Sequence, residues 1–187
     1  MQFAAERESL PVPQARAGEA AAWDTLFRRY QRPLYVYIYE LVQDEQTGLD
    51  VVQETFVAAV RYLDSLRDDA KFGSWLFGIA HQKCIQRWRR QHREAGLHEE
   101  LAGTDPGFDA SPDDLLIRRE SETRFMELLN QMPLPQRSVL LLHYIEEFSL
   151  EEIAGITETS LGTVKSRMHY AKKLLRKLVE ENHENPA

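Results

Sequence analysis

The stretch LEEIAGITETSLGTVKSRMHYAKKLLRK, residues 150–177, constrains this chain more than any other. Its first part has the period of a short amphipathic helix, with Ile153 and Ala154 inward and Glu151 and Glu152 in water. A polar run from Thr157 to Ser160 interrupts that period where a turn is needed. Beyond it Val164, Met168, Ala171, Leu175 and Leu178 recur at spacings of three and four, the apolar stripe of a second helix. That helix carries Lys165, Arg167, Lys172, Lys173, Arg176 and Lys177, and no acid falls between Ser160 and Lys177. A short helix, a tight turn and a long basic helix are the parts of a helix-turn-helix, whose second helix enters the DNA major groove. A plain helical hairpin with a solvated basic face has the same period; charge and motif together favour DNA.

A net charge of −7 runs against nucleic-acid binding until its distribution is considered. Glu94, Glu99, Glu100, Asp105, Asp109, Asp113 and Asp114 lie in one segment without Lys or Arg, and these seven acids equal the whole net charge. The remainder is neutral and holds two dense basic patches, and local charge decides which surface approaches DNA. No apolar run approaches the ~20 residues of a membrane helix. The start, MQFAAERESLPVPQ, lacks the basic-then-apolar order of a secretory signal, so no membrane insertion and a cytoplasmic address are expected. Cys84 is the single cysteine, and the histidines at 81, 92, 98, 143, 169 and 183 show no paired ligand spacing. Those histidines are expected at the surface or in grooves, and no metal or cofactor is expected. GTVKS at 162–166 lacks the preceding Gly and the adjacent Gly-Lys of a phosphate loop, so no enzyme activity is expected either.

In chain order, residues 1–17 hold Pro11 and Pro13 and no sustained period, which predicts a loose arm. From Gly18, Trp23, Leu26, Phe27, Tyr30, Leu34, Ile38, Leu41 and Val42 share one helical face, with Pro33 set to bend that helix or begin another. The alternation in YVYIY at 35–39 suits a strand, but the helical period runs through both flanks. A second helix is predicted from Asp50 to Leu63, with Val51, Val52, Phe56, Val60 and Leu63 in the core. A polar loop follows over Asp64–Gly73. A third helix, Trp75–Arg93, buries Leu76, Ile79 and Ile85 and crowds Lys83, Arg87, Arg89, Arg90 and Arg93 toward its end. Aromatic residues at 72, 75, 77 and 88 interleave that charge; most suit the core, and one or two suit stacking on unpaired bases. Residues 94–114 read as a flexible acidic linker extended by its own charge. Beyond it, Leu115–Gln131 is a helix with Phe125, Leu128 and Leu129 on its apolar face, MPLPQR a turn, and Ser138–Tyr144 the start of a buried helix. The tail from 181 to 187 is expected to fray. The fold class is therefore all-α, two small helical domains (18–93 and 115–180) joined by the linker.

Three runs together, DVVQETFVAAVRYLDSLRDDAKFGSWLFGIA (50–80), LPQRSVLLLHYIEEFSLEEIA (134–154) and GTVKSRMHYAKKLL (162–175), resemble bacterial RNA polymerase sigma factors of the extracytoplasmic-function type. The resemblance spans residues 18–180. It implies a factor that binds core RNA polymerase, directs it to promoter DNA and is held inactive by an anti-sigma partner. It casts residues 18–93 as the domain that recognises and melts the minus-ten element, and residues 115–180 as the reader of the minus-thirty-five duplex.

By that resemblance Ser65–Phe72, including Lys71, matches the loop that captures a base out of the stack, a step needing a pocket and a stacking surface. Contacts to the separated strand fall on Trp75, Gln82, Lys83, Gln86, Arg87 and Arg90; Trp75 suits a core position at least as well. Asp50, Gln53 and Glu54 match the surface for the polymerase clamp helices, and the acidic linker the segment that threads toward the RNA exit channel. In the helix-turn-helix, the face opposite Val164, Met168 and Ala171 offers Lys165, Ser166, His169 and Tyr170 to base edges. Thr163, Arg167, Lys172 and Lys173 suit phosphates. Departures from the family stand at Glu158 for the turn glycine, Thr159 for an apolar residue, Gly78 where a base is common and Gln82 where Asn is common. A sigma-like adaptor for an anti-sigma protein would have no need of the basic faces. A helix-turn-helix repressor would have no need of the base-capturing loop.

Overall fold

The computed structural model describes residues 10–94 and 122–184, and every regular element among them is helical. Most of the linker and residues 115–121 lie outside the described residues, as does the expected role of the acidic segment.

Val12–Arg16 forms α1, which corrects the expected loose arm over these five residues: Val12 and Ala15 are buried, and Pro13 sits in the first turn. Arg16 anchors it by donating to Asp69 Oδ1 at 2.7 Å and to the Leu66 carbonyl at 3.1 Å. Trp23 Nε1 donates back to the Ala15 carbonyl at 2.9 Å. Five residues are too few to show a period, so only the packing reveals this helix.

Ala20–Val42 is one continuous helix, α2, with Pro33 inside it, so residues 35–39 are helix and not strand. Leu26, Tyr30, Leu34, Tyr37, Ile38 and Leu41 are buried along it; Phe27, expected among them, is 40 % exposed and leans on Phe56. Helix α3, Glu45–Tyr62, is capped by Asp44, whose carboxylate accepts from the Thr47 N–H at 2.7 Å. Val51, Val52, Phe56 and Ala59 form its buried stripe. Val60 is 59 % exposed, a correction: Ala59, three residues past Phe56, continues the stripe and turns Val60 outward. Two 3₁₀ turns, Leu63–Ser65 and Asp69–Lys71, structure the polar loop before α4, Phe72–Glu94. Helices α2, α3 and α4 pack on one another.

In the second half the first described helix is α5, Glu122–Asn130, which buries Leu128 and Leu129. Helix α6, Leu134–Leu140, runs on through one π-type turn, Leu141–Ile145. Helix α7, Leu150–Thr157, opens on a capping box in which Ser149 Oγ accepts from the Glu152 N–H at 3.2 Å and Glu152 Oε2 accepts from the Ser149 N–H at 2.9 Å. Helix α8, Leu161–Glu184, buries Val164, Met168, Ala171, Leu175 and Val179, the predicted stripe with Val179 in place of the half-buried Leu178.

The turn between α7 and α8 explains why a glycine suits its first position. Glu158 sits at φ 52°, and the Thr159 N–H reaches the Ala154 carbonyl at 3.0 Å, the closing bond of a Schellman motif. A side chain there is strained, whereas the Thr159 hydroxyl finds a partner in Thr157 Oγ1 at 2.9 Å. Glu158→Gly is therefore expected to stabilise the fold by about 1 kcal/mol, read as a rise in the denaturation midpoint. A fall would mean that the Glu158 side chain contributes more than its backbone strain costs.

The two halves touch. Helix α7 packs along α4, and the Phe77 and Phe148 rings meet edge-on with centroids 5.1 Å apart. A second contact joins α2 to α5 and α6: Gln43 Nε2 donates to Asn130 Oδ1 at 2.7 Å, and the buried Arg137 donates to the Leu41 carbonyl at 3.3 Å. The α2 C-terminus is the negative end of its dipole and suits a guanidinium.

Candidate nucleic-acid interface

The loop before α4 and the outer side of α4 converge on one cleft of about 870 Å³. Ser65, Lys71, Trp75, Gln82, Lys83 and Gln86, expected to act together from sequence, all line it. Arg87 is half-buried and Arg90 exposed on the same helix, further toward its C-terminal end. Phe72 departs from expectation: it is fully buried between Tyr30 and Trp75, centroids 5.4 and 5.9 Å away, so it supports the loop from beneath. Trp75, half-buried, reconciles its two readings by packing one face on the core while lining the cleft.

The acidic face of α3 is exposed at Asp50, Gln53 and Glu54. Glu54 does more than face solvent. Its carboxylate accepts from Arg87 Nη2 at 2.6 Å and from Lys83 Nζ at 3.4 Å, tying the α3 surface to the basic side of α4. Such partly exposed pairs hold side-chain positions more than they stabilise a fold.

On α8, Lys165, Ser166, His169 and Tyr170 are all half-exposed, opposite the buried stripe. The Thr163 N–H is capped by Ser160 Oγ at 3.0 Å, which fixes the start of the helix. Lys172 lies 5.8 Å from the Tyr144 ring centre, and Lys173 is exposed. Arg167, expected at phosphates, is half-buried. Instead of reaching outward it lines a crevice between the halves with His81, Gln82, Ile85, Arg89, Pro135, Ser138 and Thr157.

Three buried polar groups escaped the sequence. His81, expected at the surface or in a groove, borders the crevice between the halves yet is only 4 % exposed, with Nδ1 2.8 Å from the Tyr37 hydroxyl. Burial, helped by the Arg167 charge, pushes its pKa down to about 4, so the imidazole is neutral. Glu146 is buried beside Tyr30, Phe77 and Phe148, and that burial raises its pKa to about 8. Arg137 is the third. Each sits between the halves, where a local pattern carries no signal. No group of residues suited to hold a metal occurs among the described residues, and no described helix is long and apolar enough to cross a membrane.

Two family profiles match the chain: Sigma-70 region 2 over residues 26–94 and Sigma-70, region 4 over residues 122–175. The RNA polymerase sigma-H factor of Pseudomonas aeruginosa is 30 % identical over 184 residues, covering 94 % of this chain and 95 % of that protein. The RNA polymerase sigma factor YlaC of Bacillus subtilis is 34 % identical over 166 residues (86 % and 94 %). The extracytoplasmic-function sigma factor SigW of the same species is 29 % identical over 178 residues (91 % and 95 %). Among solved structures, CnrH in complex with the cytosolic domain of CnrY is similar with a TM-score of 0.67 at 25 % identity, over 95 % of this chain and 99 % of that one. Helix-turn-helix, basic α4 face and matching relatives over nearly the full chain agree: the protein belongs to the extracytoplasmic-function sigma factors, which direct promoter-specific initiation of transcription.

Proposed function

We propose that the two basic faces divide the promoter between them. Residues 18–93 bind core RNA polymerase through Asp50, Gln53 and Glu54 and engage the melted minus-ten strand through Trp75, Gln82, Lys83, Gln86, Arg87 and Arg90. Ser65 and Lys71 border the pocket for a captured base, with Phe72 as its floor. Residues 115–180 read the minus-thirty-five duplex: Lys165, Ser166, His169 and Tyr170 at base edges, Thr163, Lys172 and Lys173 at phosphates. Arg167 is left out of this set because it lines the crevice between the halves. Catalysis belongs to the polymerase, in the cytoplasm, and an anti-sigma protein is the natural antagonist.

The observation that carries this reading is the convergence of the loop and the α4 side chains on a single cleft. Capturing a base costs a few kcal/mol of unstacking and needs a stacking surface beside cations for the phosphates. Trp75 beside Lys71 and Lys83 provides both. Trp75→Ala is expected to cut permanganate reactivity of minus-ten thymines in the holoenzyme complex by roughly tenfold, since one stacked base is worth about 1–3 kcal/mol. Duplex binding at the minus-thirty-five element should be unchanged. Unaltered reactivity would remove Trp75 from the strand contact.

A further inference from the structure

The loop that borders the base pocket is held by Arg16, the last residue of α1. Its guanidinium spans both of the loop's 3₁₀ turns. Nη2 donates to the Leu66 carbonyl at 3.1 Å, just past the end of the first turn, and to Asp69 Oδ1 at 2.7 Å, where the second begins. Nη1 reaches Asp69 Oδ2 at 3.4 Å, and Nε lies 3.9 Å from Asp64 Oδ1. Between the two anchored points stand only Arg67 and Asp68, both exposed and both lining the cleft. A planar guanidinium with its donors in a fixed fork suits such a bridge, where a flexible ammonium does not.

The position of Arg16 is itself built. Gly18, at φ 87°, closes α1 in a Schellman motif: its N–H donates to the Ala15 carbonyl at 3.0 Å, and the Glu19 N–H donates to the Gln14 carbonyl at 3.0 Å. The Ala15 carbonyl also accepts from Trp23 Nε1 at 2.9 Å, so α2 fixes the residue beside Arg16. A helix this short does not persist by its own backbone bonds, and burial of Val12 and Ala15 supplies the rest. The Arg16 and Asp69 side chains stay 31 % and 37 % exposed, so their pair adds little to global stability. Its effect falls on the conformation of the loop.

We propose that Arg16 is a positioning residue for strand capture, pinning both turns so that Arg67, Asp68 and Lys71 keep the arrangement that borders the captured base. The inference rests on the pocket assignment proposed above. Arg16 itself is not among the residues lining the cleft, so it acts through the loop and not on the strand. A loop released from this anchor samples other conformers, and the apparent affinity for the melted strand falls with the competent fraction.

The test compares Arg16→Ala, Asp69→Ala and the double variant in the full chain. Hydrogen exchange on the free protein reads the loop directly. The Leu66 and Lys71 amides donate to the Leu63 and Asp68 carbonyls, and the Ala70 amide to Asp68 Oδ1. All three amides should exchange faster in the variants, while the amides of α3 and the denaturant midpoint stay as in the parent. Permanganate reactivity of minus-ten thymines in the holoenzyme complex should fall roughly threefold or more in Arg16→Ala. The double variant should fall no further, because the two residues act as one unit. An Arg16→Ala protein that matches the parent in either loop exchange or permanganate reactivity overturns the inference, and so do losses that add in the double variant. Should Arg16→Ala fail to fold, Asp69→Ala carries the same expectation, since it leaves α1 its anchors at Gly18 and Trp23. Trp75→Ala in the same permanganate assay separates the two readings. Reactivity lost with Trp75→Ala but kept with Arg16→Ala refutes the positioning role alone; reactivity kept in both refutes the strand assignment and the positioning role with it.

Discussion

Alanine at both Lys165 and His169 is expected to abolish promoter-specific starts while leaving polymerase binding intact. Both residues sit half-exposed on α8, opposite the buried Val164, Met168 and Ala171, and the Ser160 cap fixes the start of that helix. A base contact of this kind is worth about 1–3 kcal/mol, so losing two weakens promoter discrimination roughly 10²- to 10⁴-fold. Lys173→Ala gives the contrasting pattern. It should weaken binding about equally on every promoter and lower the slope of log affinity against log salt by about one. The measurement is transcript yield from a matched and a scrambled minus-thirty-five element at two salt concentrations. If the double variant keeps the parent's preference for the matched element, these residues do not read it.

Glu146→Gln is expected to stabilise the protein by an amount that grows with pH. The carboxyl is buried where Arg29, Tyr30, Phe77, Glu147, Phe148 and Glu152 converge, with Tyr37 within electrostatic reach, and burial dominates its pKa of about 8. The folded protein therefore holds this proton over a range in which the unfolded chain releases it. The stability this gives is complete below the ordinary carboxyl range and is lost as pH rises toward 8. His81 has the opposite sign. With its pKa at about 4, it costs stability only as pH falls below its ordinary value near 6.5. Of these two groups, only Glu146 contributes a change between about pH 6.5 and 8, roughly 2 kcal/mol. Denaturant midpoints of the parent should fall more steeply across that window than those of Glu146→Gln. Parallel slopes for the two proteins would mean that Glu146 is charged in the folded state.

The helices were legible because their apolar residues recur with the helical period over three or more turns. The α8 stripe Val164, Met168, Ala171 and Leu175 is buried as its spacing requires. Val60 and Phe27 show the limit of that method. A stripe drifts around a helix as it lengthens, and a neighbouring residue at the edge of the face can take the core position instead. The first helix, Val12–Arg16, was missed because its two buried residues span less than a turn and its anchors, Asp69 and Leu66, lie some fifty positions away. The candidate site was legible residue by residue in its charges and aromatics, but not in its partnerships. No local pattern says that Glu54 pairs with Lys83 and Arg87, that Arg167 turns toward His81, or that Glu146 is buried. Those depend on contacts between helices far apart in sequence. Gly78 and Glu158 stood out as departures from the family. Gly78 proves to be a point of close helix approach, and Glu158 a left-handed turn filled by a side chain that strains it.

The most direct measurement adds the purified protein to bacterial core polymerase stripped of sigma factors, with fragmented genomic DNA as template, and sequences the 5′ ends of the transcripts. The account predicts starts that cluster downstream of a shared two-part motif and vanish with Lys165→Ala/His169→Ala. Core polymerase that binds the protein yet starts at the same scattered sites as without it, beside an active control sigma factor, would contradict it.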